Sequence, residues 1–386
     1  MIQWYNATKE GRLLSQRVAN ATDSVRQWWR RWLNLNRGGW KRFVCLSLVG
    51  VSLSLAIASC NTQTSDTSDS STPANKKDAE ITLVSYAVTR GAYAKIIPQF
   101  TAKWKKEHNQ KVKINQSYGA SGSQARAVID GLEADVVALA LDLDIAKIEQ
   151  AGLIQPGWKK EAPNNAIVAK SVIALVTRED NPKRIKTWSD LAKNGIQVIT
   201  ANPKTSGGAR WNFLALWGAV TETGGSDTQA LNFTTKVFQN VPVLPRDSRE
   251  ASDVFFKQGQ ADALINYENE IILARLNGLK LPYVVPNVNI SVDSPVAVVD
   301  KYADKHDVRE VAEAFVQYLY TPEAQREFAK VGFRSVNPTV AKEFSKKYIP
   351  IKKLFTVQDL GGWNAVQKKF FDDGGIFDKI QTKISK

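Results

Sequence analysis

The sequence predicts an α/β fold in which a mostly parallel sheet carries helices on both faces. Short apolar and β-branched runs, such as 81–86 and 263–267, alternate with segments whose apolar residues recur at helical spacing. The run 134–141 is apolar at nearly every position, which is typical of a strand buried on both faces. Alternation of strands and helices at this pitch indicates a parallel sheet.

The elements follow in order from residue 81. The predicted strands are 81–86, 112–117, 134–141, 171–177, 197–200, 241–244, 263–267 and 293–300. The predicted helices are 91–107, 123–132, 188–193, 209–220, 248–258, 308–319 and 322–330, with a polar, helical tail from about residue 340. Pro98 lies inside the first helical pattern and argues against an unbroken helix there.

The first 60 residues differ in composition from the rest of the chain. Residues 1–42 contain nine Lys/Arg and two acidic residues, and an uncharged, largely apolar run of sixteen residues, 43–58, follows. This run is shorter than the roughly 20 residues of a membrane-spanning helix, so we expect an export signal over residues 1–59. The sequence Ile-Ala-Ser-Cys at 57–60 resembles the bacterial lipobox, which predicts cleavage before Cys60 and its lipidation. An uncleaved signal anchor is the alternative.

Residues 60–79 are expected to form a flexible tether, because they are rich in Ser, Thr, Asp and Asn and contain no aromatic residue. Without the leader, the formal net charge falls from +14 to about +7. This charge is small for so long a chain, so we do not expect nucleic-acid binding, whose mark would be steeply salt-dependent association with DNA.

The cysteine and histidine content argues against several kinds of site. Cys45 lies in the leader and Cys60 is the expected lipidation site, which leaves neither a disulfide nor a cysteine metal cluster in the folded domain. His108 and His306 lie in charged segments, and we expect both on the solvated surface. We therefore expect no metal, no cofactor and no Ser-His-Asp or Cys-His catalysis.

The feature that points to a binding site is a local sequence pattern that occurs four times. A strand ends, a short stretch rich in small residues follows, and a helix begins. The junctions are 85–91, 118–123, 204–209 and 247–251. Ligands of open α/β sheets bind at the carboxyl ends of strands, and the first N–H groups of each helix lack an intrahelical partner. Several converging helix starts can hold an oxyanion without a basic side chain, and the hydroxyls of Ser121 and Ser206 can add donors. No Walker P-loop pattern occurs in the chain.

At these junctions the chain resembles the sulfate-binding proteins of bacterial ABC transporters, over about residues 80–386. The matching segments are SYAVTR (85–90), QSYGASG (116–122), NPKTSGGARWN (202–212), LALWG (214–218), NYENE (266–270), LFT (354–356), GGW (361–363) and GGIFD (374–378). The segment 202–212 is long and highly specific for this family.

The resemblance implies a two-lobed periplasmic-binding-protein fold of type II, in which each lobe is a mostly parallel sheet flanked by helices and the ligand lies in the cleft. The implied divisions are 80–165 plus 270–335 for lobe 1, 166–269 for lobe 2, and 336–386 for a helical segment across both. It also implies a monomer that delivers sulfate to the permease of an ABC importer. The expected location is the periplasm, with Cys60 tethering the chain to the outer face of the cytoplasmic membrane.

Carried over position by position, the resemblance implies that backbone N–H groups hold the sulfate, together with the hydroxyl of Ser206. The implied N–H donors are those of Ala87, Ser121, Gly207, Gly208 and Ser248. Ala87-Val88 replaces the Asp-Pro that is frequent in the family, and Tyr267 stands where the sulfate-binding branch has a tryptophan that donates its indole N–H. A phenol can also donate, or Tyr267 can simply pack in the cleft. Thiosulfate, or another tetrahedral oxyanion such as molybdate, is therefore the alternative ligand.

A site made only of donors favours sulfate over phosphate. Sulfate is fully ionised at neutral pH, whereas phosphate usually keeps a proton that would find no acceptor, a mismatch of roughly 1–3 kcal/mol. The junctions YGASGS and KTSGGA contain no carboxylate, whereas Asp247 neighbours Ser248, and we expect it to face solvent or a nearby arginine.

Charged residues near the junctions have two interpretations. The arginines Arg90, Arg126, Arg210 and Arg249 are expected to brace the loops behind the site, with ordinary ion pairing on helix faces as the alternative. Glu268 and Glu270 are expected to pair with these arginines or with backbone rather than to act as acid and base. An enzyme acting on sulfate or phosphate esters is the alternative function, but the sequence offers neither a nucleophile beside a base nor a metal cluster.

Overall fold

The computed structural model describes residues 77–385, so the expected export signal, Cys60 and most of the tether lie outside the described residues. The strands are β1 (Ala79–Tyr86), β2 (Val112–Gly119), β3 (Val136–Ala138), β4 (Ile167–Ser171), β5 (Ile173–Thr177), β6 (Val198–Ile199), β7 (Ala263–Tyr267), β8 (Tyr283–Val284), β9 (Val288–Ile290), β10 (Val292–Val298) and β11 (Lys353–Phe355). The helices are α1 (Arg90–His108), α2 (Ser121–Ile129), α3 (Asp142–Gln150), α4 (Gly207–Thr221), α5 (Asp227–Gln239), α6 (Ser248–Phe256), α7 (Glu268–Leu276), α8 (Asp300–Lys305), α9 (Arg309–Tyr318), α10 (Pro322–Lys330), α11 (Pro338–Glu343), α12 (Gly362–Val366) and α13 (Ile376–Ile384).

The first sheet has the strand order β2-β1-β3-β10-β4. β1 runs parallel to β2 and to β3, whereas β10 runs antiparallel to β3 and β4. Ile81 and Leu83 of β1 are fully buried, as the apolar pattern predicts. Because β1, β2 and β3 are parallel, their carboxyl ends at Tyr86, Gly119 and Ala138 lie along one edge of the sheet.

The second sheet has the strand order β6-β7-β5-β8. β6 runs parallel to β7, and β5 runs antiparallel to both β7 and β8. The carboxyl ends of β6 and β7, at Ile199 and Tyr267, therefore lie at one edge of this sheet. A separate parallel pair is formed by β9 and β11.

Two connections run between the sheets and are tied to each other. The predicted single strand 171–177 is wrong, because the chain leaves the first sheet after Ser171 and enters the second at Ile173. The chain returns to the first sheet between β8 and β10. The fully buried side-chain amide of Asn289 accepts a hydrogen bond from Ile173 N at 3.1 Å and donates one to Ile173 O at 2.7 Å. One side chain thus links the outgoing connection to the returning one.

The helix α4 is buried over its first twelve residues, Gly207–Gly218. Phe213 meets four other aromatic rings at centroid distances of 5.5–6.1 Å, namely those of Phe238, Phe370, Phe371 and Phe377. Three of these four come from the carboxyl-terminal segment, so the aromatic residues of the tail hold α4 in position. Aromatic pairs of this kind stabilise by about 0.5–1.5 kcal/mol each beyond their area burial.

Other sequence predictions needed correction. The strand predicted at 241–244 does not form; Pro242 has no N–H to donate to a ladder, and Val243 is 40% exposed. The helices α3, α5, α7 and α8 were not predicted. The helix α1 is continuous through Pro98, since this proline lies on the exposed face, where the carbonyl that loses its partner meets water. Within residues 77–385, no helix has the length and apolar content needed to span a membrane.

Both histidines are more constrained than the sequence predicted. The ring of His108 stacks on Trp104 at a centroid distance of 3.7 Å. His306 is held between two carboxylates, with Nδ1 at 2.7 Å from Asp135 Oδ1 and Nε2 at 2.8 Å from Glu133 Oε2. These contacts raise the pKa of His306, first through Asp135 and then through Glu133.

The stability of the fold should therefore depend on the charge of His306. Because its folded-state pKa is raised, the stabilisation is complete below the unfolded pKa of about 6.5 and is lost as pH rises through the folded-state value. We expect the free energy of unfolding in urea to fall as pH rises above about 6.5, and the variant His306→Gln to show a smaller fall. The part that remains up to about pH 7 would come from Glu270, whose pKa burial raises to about 7. The control His108→Gln should keep the full fall, since His108 has no carboxylate partner among the described contacts; a full pH dependence in His306→Gln would contradict the assignment.

Candidate functional site

A small cavity lies where the carboxyl ends of strands from the two sheets face each other. Its lining consists of the ends of β1 and β2 with the residues after them, Ala140 beyond β3, the starts of α2, α4 and α6, and the end of β7. The lining residues are Tyr86, Ala87, Val88, Gly119, Ala120, Ser121, Ala140, Ser206, Gly207, Gly208, Asp247, Ser248 and Tyr267. The space open to the centre of a water-sized sphere is about 10 Å³, far below the roughly 300–1,000 Å³ of pockets for drug-sized ligands. The cavity therefore admits only a very small ligand.

The structure brings all seven predicted ligand-binding residues into this lining. The first sheet contributes Ala87, directly after β1, and Ser121, the first residue of α2. These two positions are neighbours because β1 and β2 pair in parallel register, with Tyr86 opposite Gly119.

The second sheet contributes the starts of two further helices and one aromatic ring. Ser206 caps α4 by accepting a hydrogen bond from Ala209 N at 3.2 Å, and Gly207 and Gly208 form the first turn. Ser248 is the first residue of α6, and Tyr267 ends β7. The first N–H groups of a helix have no hydrogen-bond acceptor within the helix. At α4 and α6 they can therefore donate to a ligand in the cavity.

The two sides of the cavity are in direct contact. Gly122 N donates to Thr205 O at 3.2 Å, and Trp211 Nε1 donates to Ala140 O at 2.9 Å. A methyl group built on Gly207 would lie 2.7 Å from Ala140 Cβ, so this close approach requires glycine. The described conformation is therefore closed around the cavity.

The electrostatics of the site come from backbone dipoles. The lining contains no lysine, arginine or histidine, and its one charged residue is Asp247. Asp247 is 7% exposed and does not face solvent, but it has the expected arginine neighbour, Arg246; its Oδ1 caps α6 by accepting from Glu250 N at 2.9 Å. Its second oxygen lies 3.8 Å from Arg246 Nε. Helix starts of this kind attract anions through partial positive charge on their N–H groups.

The hydroxyl of Ser121 is not free to donate into the cavity. It donates to Asp144 Oδ2 at 2.6 Å and accepts from Ala140 N at 3.0 Å. Any contact of Ser121 with a ligand is therefore left to its backbone N–H. Asp144 is 1% exposed and was not singled out from the sequence, although an acidic residue in the first turn of a helix is a recognisable signal.

Two other hydroxyls in the lining have no hydrogen-bond partner. Ser248 Oγ and Tyr267 Oη are both buried and unpaired. Burial raises the pKa of the Tyr267 phenol well above its usual value, so that this group is a neutral O–H donor. In contrast, the neighbouring Tyr86, whose ring is 6.3 Å from that of Tyr267, bonds Ser294 Oγ at 2.6 Å.

None of the four predicted bracing arginines lines the cavity, and each has a partner behind it. Arg210 Nε donates to Pro203 O at 2.9 Å, which holds the loop before Ser206. Arg249 pairs with the buried Glu270 at 2.7 Å. The remaining two make weaker contacts, Arg90 lying 4.7 Å over the Tyr118 ring and Arg126 donating to Ser123 Oγ at 3.4 Å.

The two glutamates after Tyr267 have arginine partners. Glu270 pairs with Arg249, and Glu268 pairs at 2.8 Å with Arg334, which was not among the predicted arginines. Burial raises the pKa of Glu270 to about 7, although Arg249 lowers it. Within residues 77–385, no group of three or more His, Cys, Asp or Glu residues is arranged to hold a metal ion.

The packing around Gly208 gives a direct test of the site geometry. A methyl group built there would lie 2.0 Å from Ser248 Oγ and 2.9 Å from two ring carbons of Tyr267. We expect Gly208→Ala to lower the free energy of unfolding in urea by roughly 1–3 kcal/mol, as overpacking does. The control Gly119→Ala places its methyl 3.5 Å from a flexible glutamine side chain, so its stability should stay close to that of the unmodified protein. Equal stabilities of the two variants would contradict this packing.

Known proteins resemble this chain in sequence and in fold. The family profile described as bacterial extracellular solute-binding protein matches residues 81–334. A sulfate-binding protein of Synechococcus elongatus is 59% identical over 336 residues, covering 86% of this chain and 93% of that protein. A thiosulfate-binding protein of Pseudomonas aeruginosa is 39% identical over 305 residues, covering 78% of this chain and 91% of that protein. The solved structure of the sulfate-binding protein of Mycobacterium tuberculosis H37Rv aligns with a TM-score of 0.71 at 38% identity, covering 76% of this chain and 100% of that one. The chain has the two-lobed fold of periplasmic binding proteins and belongs to the family of bacterial extracellular solute-binding proteins.

Proposed function

We propose that this protein captures sulfate in the cavity and delivers it to an ABC importer. The observation that carries the proposal is the convergence of loop and helix-start N–H groups on one small cavity without a basic side chain in its lining. The proposed ligands are the N–H groups of Ala87, Ser121, Gly207, Gly208 and Ser248, with the hydroxyls of Ser206 and Tyr267. A sulfate-binding relative at 59% identity supports this choice of ion.

The polarity of the lining favours sulfate over phosphate. Every proposed backbone ligand is a donor, and sulfate has only acceptors. The proton of hydrogen phosphate would need an acceptor, and the one carboxylate of the lining, Asp247, is directed to the start of α6, where its Oδ1 accepts from Glu250 N. Leaving that proton unpaired costs roughly 1–3 kcal/mol.

Thiosulfate is the second candidate ligand. By the family resemblance, Tyr267 stands where the sulfate-binding branch has a tryptophan, and a phenol O–H donates with a different reach and direction from an indole N–H. The 39% identity to a thiosulfate-binding protein keeps this ligand under consideration. Molybdate is a third tetrahedral oxyanion of the same charge.

We propose that the site binds its ligand without converting it chemically. The hydroxyl of Ser121 is paired with Asp144 rather than with a histidine, and neither His108 nor His306 lines the cavity. A nucleophile activated by an adjacent base is therefore missing from this lining.

The remaining features of the proposal concern where the protein acts. We place it in the periplasm, tethered to the outer face of the cytoplasmic membrane through lipidated Cys60, as a monomer that docks on a membrane permease. Lobe 1 would comprise 80–165 plus 270–335 and lobe 2 would comprise 166–269, with 336–386 across both. Closure of these lobes around the ion would present the loaded form to the permease.

Calorimetric titration of the purified, anion-stripped protein tests the proposal. We expect one sulfate per chain with a Kd in the micromolar range or tighter, and phosphate bound at least about tenfold more weakly because of its unpaired proton. The ratio of thiosulfate to sulfate affinity separates the two candidate ligands, and molybdate serves as the third oxyanion. Absence of heat and of any thermal shift with all four anions would contradict the proposed function.

A further inference from the structure

The side chain of Ser248 stands out among the serines around the site. Its hydroxyl is buried, with the residue 4% exposed, and it has no hydrogen-bond partner. The other serines have defined partners: Ser121 donates to Asp144, Ser206 caps α4, and Ser252 accepts from Asn266 at 3.0 Å. The family resemblance assigned a role only to the backbone N–H of Ser248, so its hydroxyl is left without a function.

The hydroxyl of Ser248 lies beside the proposed ion position. A methyl group built on Gly208 would be 2.0 Å from Ser248 Oγ and 2.9 Å from Tyr267 Cζ, the ring carbon that carries the phenol oxygen. Ser248 Oγ and the phenol end of Tyr267 therefore flank the α-carbon of Gly208. All three residues line the cavity.

The position of Ser248 does not depend on its hydroxyl. Asn266 Nδ2 donates to Ser248 O at 2.8 Å, and Asn266 Oδ1 accepts from Tyr267 N at 2.8 Å. One buried amide thus fixes the backbone of both residues. Asp247 caps the helix that Ser248 begins. The hydroxyl is therefore left free to meet a ligand.

We propose that Ser248 donates two hydrogen bonds to the anion, one from its side-chain hydroxyl and one from its backbone N–H. A buried hydroxyl without a partner is rare in folded proteins, and an oxyanion in the cavity would give it an acceptor. The second-sheet side would then supply three hydroxyl donors, from Ser206, Ser248 and Tyr267, whereas the first-sheet side supplies only N–H groups. This inference rests on the proposed anion-binding function.

The variant Ser248→Ala tests the proposal because it removes the hydroxyl and keeps the N–H. We expect sulfate binding to weaken about 10- to 100-fold, the range for a lost hydrogen bond to a charged group. The melting temperature of the anion-free variant should equal or exceed that of the unmodified protein, since no protein partner is lost. The control Thr234→Val also removes a buried, unpaired hydroxyl, but one outside the cavity lining, and should bind sulfate normally.

The outcomes separate this proposal from the function on which it rests. If the unmodified protein binds sulfate and Ser248→Ala binds it within about twofold, the hydroxyl is not a ligand, although the proposed function stands. If the variant loses affinity and also melts at a lower temperature without anion, the hydroxyl has a structural role and the proposal is wrong. If the unmodified protein binds no sulfate, thiosulfate, molybdate or phosphate, the proposed function itself fails.

Discussion

The structure depends on one constraint: backbone N–H groups from both sheets must reach the same small cavity. A helix start carries unpaired N–H donors and partial positive charge, but a single start binds an anion weakly in water. Here α2, α4 and α6 begin at the cavity, and the loop after β1 reaches it as well. Glycine at 207 and 208 is needed because any side chain there would collide with Ala140, Ser248 or Tyr267.

The rest of the molecule fixes these helix starts in place. Arg210 holds the loop before α4 through Pro203 O, and the aromatic residues of the tail pack around Phe213 on the same helix. Asn266 fixes the backbone at the start of α6, and Asn289 links the connections between the sheets. In the proposed site most ligands are backbone atoms, so their positions would be set mainly by such supports. The buried polar residues around the cavity would therefore contribute to binding without touching the ion.

Much of the site could be predicted from the sequence because its signals are local. A strand end, a few small residues and a helix start are contiguous in the chain, so the four junctions could be located from local patterns. The seven predicted ligand residues came from the resemblance to the sulfate-binding proteins, and all seven lie in one lining. The partners of their side chains could not be predicted in the same way. The bond from Ser121 to Asp144 spans 23 positions, and the unpaired state of Ser248 depends on what the whole fold places around it. The split of 171–177 between two sheets was missed for the same reason, since a continuous apolar run does not reveal where its hydrogen-bond partners change.

Anomalous diffraction from crystals grown with selenate would test the central claim most directly. Selenate has the shape and charge of sulfate, and selenium locates it without ambiguity. The account predicts one selenium peak in the cavity, with oxygen atoms at 2.7–3.2 Å from the backbone nitrogens of Gly207, Gly208 and Ser248. A peak held by arginine or lysine side chains elsewhere, with the cavity occupied only by water, would contradict the claim that helix starts form the anion site.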